Sequence, residues 1–160
     1  MSFIAKVTSA LILTVGLANA SVYSLDNAHT NVGFSAKHLM ITNVKGDFKK
    51  FNANIDFDLA SKSFKVFKAT VETGTIDTGI EKRDAHLKSA DFFLSDKYPE
   101  MTFEMKSYEV DGDEGKMKGD LTIRGITKPV VFEVEDLSTV KDFEGNNRIG
   151  FTLKGKINRM

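Results

Sequence analysis

The chain is 160 residues long and 41% hydrophobic, enough for one domain whose core needs neither metal nor disulfide to hold it. It contains no cysteine, which excludes a disulfide framework, thiol chemistry and haem attachment through Cys-x-x-Cys-His. Basic and acidic residues number 22 each, and that balance gives no pull toward nucleic acid or an anionic membrane surface.

Residues 1–20 read as separate from the fold. Lys6 supplies a thin positive start, Val7 to Ala18 an apolar run with polar breaks, and Ala18-Asn19-Ala20 a small-x-small cleavage site. The run falls short of the roughly 20 residues that a bilayer-spanning helix needs. The pattern predicts a signal peptide cleaved after Ala20 and a mature domain over 21–160.

From Val22 onward the dominant period is two, the mark of strands with one buried face. Val22 to Leu25 form a first strand. Val32, Phe34 and Ala36 share a face on the second. Val44, Gly46 and Phe48 then give way to Phe51, Ala53, Ile55, Phe57 and Leu59, a parity change without a turn signal. It predicts one long strand with a bulge or sharp bend near Lys49-Lys50. After a turn at Ala60 to Ser63, Phe67, Ala69, Val71, Thr73 and Thr75 alternate with polar positions.

Farther on, Met101, Phe103 and Met105 lead into a hairpin at Asp111 to Gly115, and Met117, Gly119, Leu121 and Ile123 return from it. Val130, Phe132 and Val134 follow, and then Ile149, Phe151, Leu153 and Ile157. The count is about eight strands, without internal repeat, and long enough to close into an antiparallel barrel. The inward faces mix Phe, Met and Val with Ala, Gly and Thr. Thirteen Phe stand beside no Trp and three Tyr, a composition that suits either a solid core or the wall of an apolar tunnel.

One stretch breaks the β pattern. Thr78-Gly79-Ile80-Glu81 matches a capping box, so a short helix is expected after it, with Ile80, Leu87 and Ala90 as its stripe. Asp84 and Lys88 are spaced for an i, i+4 pair, and Phe92-Phe93 for anchoring the far end. Arg83, Asp84 and His86 read either as a clamp holding this helix to the barrel or as ligands for a polar head group, with His38 as a further candidate. His29, His38 and His86 lack metal-site spacing, and no nucleophile elbow is present, so neither a metal site nor catalytic residues are assigned.

The spaced residues Asp26, His29-Thr30, Phe34, His38-Leu39, Gly46, Phe48, Arg83-Asp84, His86-Leu87, Asp91-Phe92-Phe93, Tyr98-Pro99, Phe103, Gly119 to Val130, Arg148, Gly150-Phe151 and Asn158-Arg159 occur in the order found in the YceI family of bacterial periplasmic proteins, which the mature chain resembles throughout. That resemblance implies an all-β, lipocalin-like eight-stranded antiparallel barrel with one short helix. Its apolar tunnel would bind a polyisoprenoid or a related long-chain lipid or amide, often as a dimer, in the periplasm.

The expected wall is Phe34, Phe48, Phe67, Val71, Met101, Phe103, Met105, Leu121, Phe132 and Phe151. No cofactor beyond the lipid is expected and no nucleic-acid partner, while room remains for a transient membrane or membrane-protein contact and for a homodimer. Binding, transport or storage is the leading reading. The alternatives are a lipid- or quinone-linked redox or enzymatic accessory role for the Arg83-Asp84-His86 cluster or the histidines, and a solid barrel acting as an interaction module.

Overall fold

The computed structural model describes residues 21–38 and 41–158, with only the backbone of His38; the leader-like segment 1–20 lies outside the described residues. In chain order run β1 (Ser21–Tyr23), β2 (Val32–His38), β3 (Thr42–Phe48), β4 (Phe51–Asp58), β5 (Ser63–Glu72), a single 3-10 turn (Thr73–Thr75) and β6 (Ile76–Asp77). The helix α1 (Glu81–Lys88) follows, and then β7 (Glu100–Asp111), β8 (Glu114–Ile123), β9 (Ile126–Lys141) and β10 (Asn147–Lys154). Seven strands form one antiparallel sheet in the order β1-β4-β5-β7-β8-β9-β10, and β2-β3-β6 form a second.

The larger sheet curls into a half-barrel whose two edge strands, β1 and β10, do not pair with each other. The described strands number ten rather than about eight because of two local features. At Lys49-Lys50 the chain leaves one sheet and enters the other, so the expected long bent strand is two strands. The two-residue β6 is too short to carry a period at all. Thr73 and Thr75, expected on a strand, lie in the 3-10 turn, where the Thr73 hydroxyl donates to the Tyr98 carbonyl at 2.9 Å.

Three bulges control which residues face inward. Register shifts at Asp56/Phe57, Met105/Ser107 and Gly150/Thr152 each insert a residue on one strand of a pair. Such an insertion turns the following side chains to the opposite face. Phe64 and Phe67 are therefore both buried despite a spacing of three, and beyond Met105 the ring of Tyr108 turns toward the core.

These shifts concentrate aromatic volume at the end of the half-barrel where the β4–β5 and β7–β8 turns lie. Phe57 and Met117 are 0% exposed there, Val134 1% and Phe64 2%. Phe64 meets Phe57, Tyr108 and Phe151 edge-on at centroid distances of 4.9, 5.1 and 5.0 Å. Full burial of one such side chain is worth about 1.5–3 kcal/mol, and a ring pair of this geometry about 0.5–1.5 more.

A smaller core of Phe48, Val71 and Ile76 lies at the opposite end, where Phe34, Phe51, Leu87, Phe93 and Met101 pack against it. Between the two, Gly119 lets β8 run against Phe103, since a Cβ there would meet the Glu104 carbonyl at 2.3 Å and the Phe103 ring at 2.7 Å.

Candidate ligand-binding cleft

The concave face of the larger sheet and strands β2 and β3 border one large open cleft of about 3680 Å³, whose lining also includes charged residues such as Glu109, Lys116, Lys118 and Glu133. Ligand pockets commonly run about 300–1,000 Å³, so this space exceeds what a small metabolite fills. The alternation of β5, β7, β8 and β9 carries apolar side chains to it.

Every wall residue expected from the sequence lines the cleft except Met105. Phe67, Phe103 and Leu121 belong to the larger core, with Phe132 and Phe151 packed on it; Phe48 and Val71 belong to the smaller, with Phe34 and Met101. Met105 packs against the larger core and is not among the residues that line the cleft.

The polar stretch on α1 is built around Thr78. Asp84 Oδ1 accepts from the Thr78 backbone N–H at 2.8 Å and from its hydroxyl at 2.6 Å. Arg83 donates through Nε to the Thr78 hydroxyl and through a terminal nitrogen to the Thr78 carbonyl, both at 2.7 Å. This clamp replaces the expected capping box: the N-cap is Ile80, in extended backbone with no side-chain cap bond, and Thr78 lies too early to reach the first turn.

Asp84 is thereby committed to Thr78 instead of Lys88. Only Leu87 of the expected stripe packs inward; Ile80 is 52% exposed and Ala90 is exposed as well.

His86 Nε2 lies 3.0 Å from Asp91 Oδ2, and its ring stands edge-on to Phe92 at 5.0 Å. Arg83, Asp84 and His86 are not among the residues that line the cleft, so the geometry supports the clamp over head-group ligation. The side chain of His38 lies outside the described residues. His29 stands apart from His86, on the β1–β2 loop, where Nδ1 lies 3.0 Å from Asp26 Oδ2.

That loop forms one side of a tie across the unpaired edges of the sheet. Asp26 also faces Arg148 at 3.5 Å, and Arg148 Nε donates to Asp142 at 3.0 Å, joining the β1–β2 loop to the β9–β10 turn. The hydrogen bond from His29 holds the Asp26 carboxyl below its usual value, helped by the nearby Arg148 charge. The backbone N–H of Asn146 does the same for Asp142. Burial pushes the Tyr23 and Tyr108 hydroxyls up, and neither has a hydrogen-bond partner among the described residues.

Among the lining residues outside the expected wall are Tyr23, Phe93 and Arg124. Tyr23 points inward from β1, and its alternation with Val22 was the available signal. Phe93 closes on Phe48 edge-on at 5.7 Å. Arg124 lines the cleft from the β8–β9 turn, and Ile123-Arg124-Gly125-Ile126 carried the signature of a two-residue hairpin with Gly at its second position.

Comparison with known proteins gives a consistent picture. A family model described as YceI-like domain matches residues 23–160. The chain is 38% identical over 151 residues to Protein YceI of Shigella flexneri and, to the same degree, of Escherichia coli O157:H7, covering 93% of this chain and 79% of each relative.

Among solved structures, a Campylobacter jejuni YceI protein superposes with a TM-score of 0.73 at 50% identity, over 86% of this chain and 81% of that one. Burkholderia cenocepacia BcnA gives 0.65 at 25% identity, over 73% and 72%. A polyisoprenoid binding domain from Saccharophagus degradans, at 0.52 and 17% identity over 75% and 71%, shares the fold.

Proposed function

This chain belongs to the YceI-like domain family, and from that premise we propose that it binds a polyisoprenoid or a related long-chain lipid or amide in its apolar cleft. The observation that carries the proposal is the cleft itself: Phe34, Phe67, Phe103, Phe132 and Phe151 line a space that the protein's own side chains leave unfilled. Covering such a surface with apolar matter removes it from water and is favourable. Burying about 400 Å² of lipid tail at about 25 cal/mol per Å² yields on the order of 10 kcal/mol gross, before the costs of ordering and association.

Dispersion hardly separates isoprene units from acyl chains, so bore, length and a few polar groups set selectivity. The polyisoprenoid of the Saccharophagus degradans protein is of the chemistry this cleft fits, although that distant likeness speaks only for the fold. Carriage or storage in the periplasm completes the proposal, supported by the leader-like 1–20 segment. Binding is favoured over chemistry on the lipid because Arg83, Asp84 and His86 are spent on a clamp and a surface pair outside the cleft.

Native mass spectrometry of the purified protein tests this directly. A one-to-one adduct with the mass of a long-chain lipid, or uptake of an added polyprenol, is the expected result. A protein that is consistently empty and takes up no prenyl lipid overturns the proposal.

A further inference from the structure

The inner face of the β4–β5 pair is graded in size. Moving away from the turn between them, the cross-strand partners are Phe57 with Phe64, then Ile55 with Phe67, then Ala53 with Ala69. The first two rings are buried and do not line the cleft, whereas all four residues of the next two pairs do. Open space therefore begins where side-chain volume drops, over the two alanines.

Three lining rings rest on the buried pair. Tyr23 stands edge-on to Phe57 at 6.4 Å, while Phe151 and Phe67 stand edge-on to Phe64 at 5.0 and 5.9 Å and meet each other at 6.0 Å. Phe57, Phe64 and Met117 are almost wholly buried. A close-packed layer of this kind does not deepen to admit more ligand. Phe151 is aimed by the fold: the register of β10 on β9 shifts between Gly150 and Thr152, and Asp136 in the facing bulge takes a φ of 55°. Bulges re-aim side chains in this way.

We propose that Phe67 and Phe151, backed by Phe64, form a stop that limits how long a chain the cleft accepts, so that these residues determine length specificity. The inference rests on the lipid-binding reading above and narrows it from bore and length in general to named rings. The chain's apolar end lies over Ala53 and Ala69. A chain too long for the stop leaves its surplus in water, and every exposed methylene forfeits the burial that drives binding.

The test offers an equimolar ladder of polyprenols, differing by single isoprene units, to the wild-type protein and its variants, and reads the carried lengths by native mass spectrometry. An apolar cavity of about 150 Å³ takes up benzene, and an isoprene unit is no larger, so the ring vacated in Phe151→Ala should raise the preferred length by about one unit. Ala69→Leu fills the space over the stop and should lower it by about one unit. Because it removes nothing from the core, it decides the matter where Phe151→Ala does not fold. Phe34→Ala, at the other end of the cleft, should weaken uptake of all lengths alike.

A wild-type protein without length preference overturns the stop. So does a preferred length that stays fixed in Phe151→Ala and Ala69→Leu, or one that shifts equally in Phe34→Ala. If the wild-type protein takes up no polyprenol, the lipid-binding reading falls and the stop with it. If polyprenols bind but their length is indifferent to positions 69 and 151, only the stop falls.

Discussion

The two ends of the half-barrel draw on the same stock of phenylalanine and put it to opposite use. At the end with the β4–β5 and β7–β8 turns, bulges bring Phe57, Tyr108 and Phe151 edge-on against Phe64, and of these four rings only Phe151 also reaches the cleft. Toward the helix end no such insertion occurs between β5, β7 and β8, and strict alternation lines up Val71, Met101 and Phe103 along an open wall. Residue type alone does not separate a plug from a wall. Register does, because each inserted residue decides whether two rings meet across the sheet or stand apart.

The contrast breaks most visibly at the plug. Phe57→Ala removes a fully buried ring and should destabilise the protein by about 3–5 kcal/mol, read from the midpoint of denaturant unfolding. A loss below about 1 kcal/mol would mean that this end is not packed as described.

Gly119→Ala probes the border between the two regions. Its new methyl group would meet the Glu104 carbonyl, a backbone atom that cannot swing away, and the expected cost is about 1–3 kcal/mol.

Asp84→Ala cuts the clamp on α1 at the helix end. It should cost about 1–2 kcal/mol and leave lipid retention unchanged, since the clamp lies outside the cleft; a selective loss of lipid would restore Asp84 as a ligand contact.

The smallest effect is that of acid on the tie across the sheet edges. Asp26 and Asp142 have folded values below the ordinary carboxylate value of about 3.9, so their stabilisation is fully present above that pH and fades as pH falls through the depressed folded values. In Asp26→Asn this acid-dependent part of the unfolding free energy should shrink below about pH 4, and an unchanged profile would remove the tie from the account.

The strands were legible because one buried face per strand imposes a period of two, and the runs at Phe51 to Leu59 and Met117 to Ile123 show it plainly. Most of the wall followed from that parity. The bulges were not legible: Lys65 and Lys106 look like any exposed lysine, and only pairing with the next strand shows that a residue has been inserted there.

The capping box misled for a related reason. Thr78 has the right chemistry for a cap, but Asp84 and Arg83 compete for its hydroxyl and carbonyl, and that contest depends on how the chain turns after β6. Arg124 hid inside a motif that reads as a strand and turn, where the fold alone reveals that the turn opens on the cleft.

The chain contains no tryptophan, so a single one placed by substitution reports on its own surroundings. Phe34→Trp puts the reporter on the open wall, and Tyr108→Trp puts it in the plug. Titration with a brominated long-chain fatty acid, whose bromine atoms quench only at close range, should strongly quench the tryptophan at position 34 and leave the one at position 108 nearly unaffected. Equal quenching at both positions, or none at either, would contradict a ligand seated in the cleft above an aromatic plug.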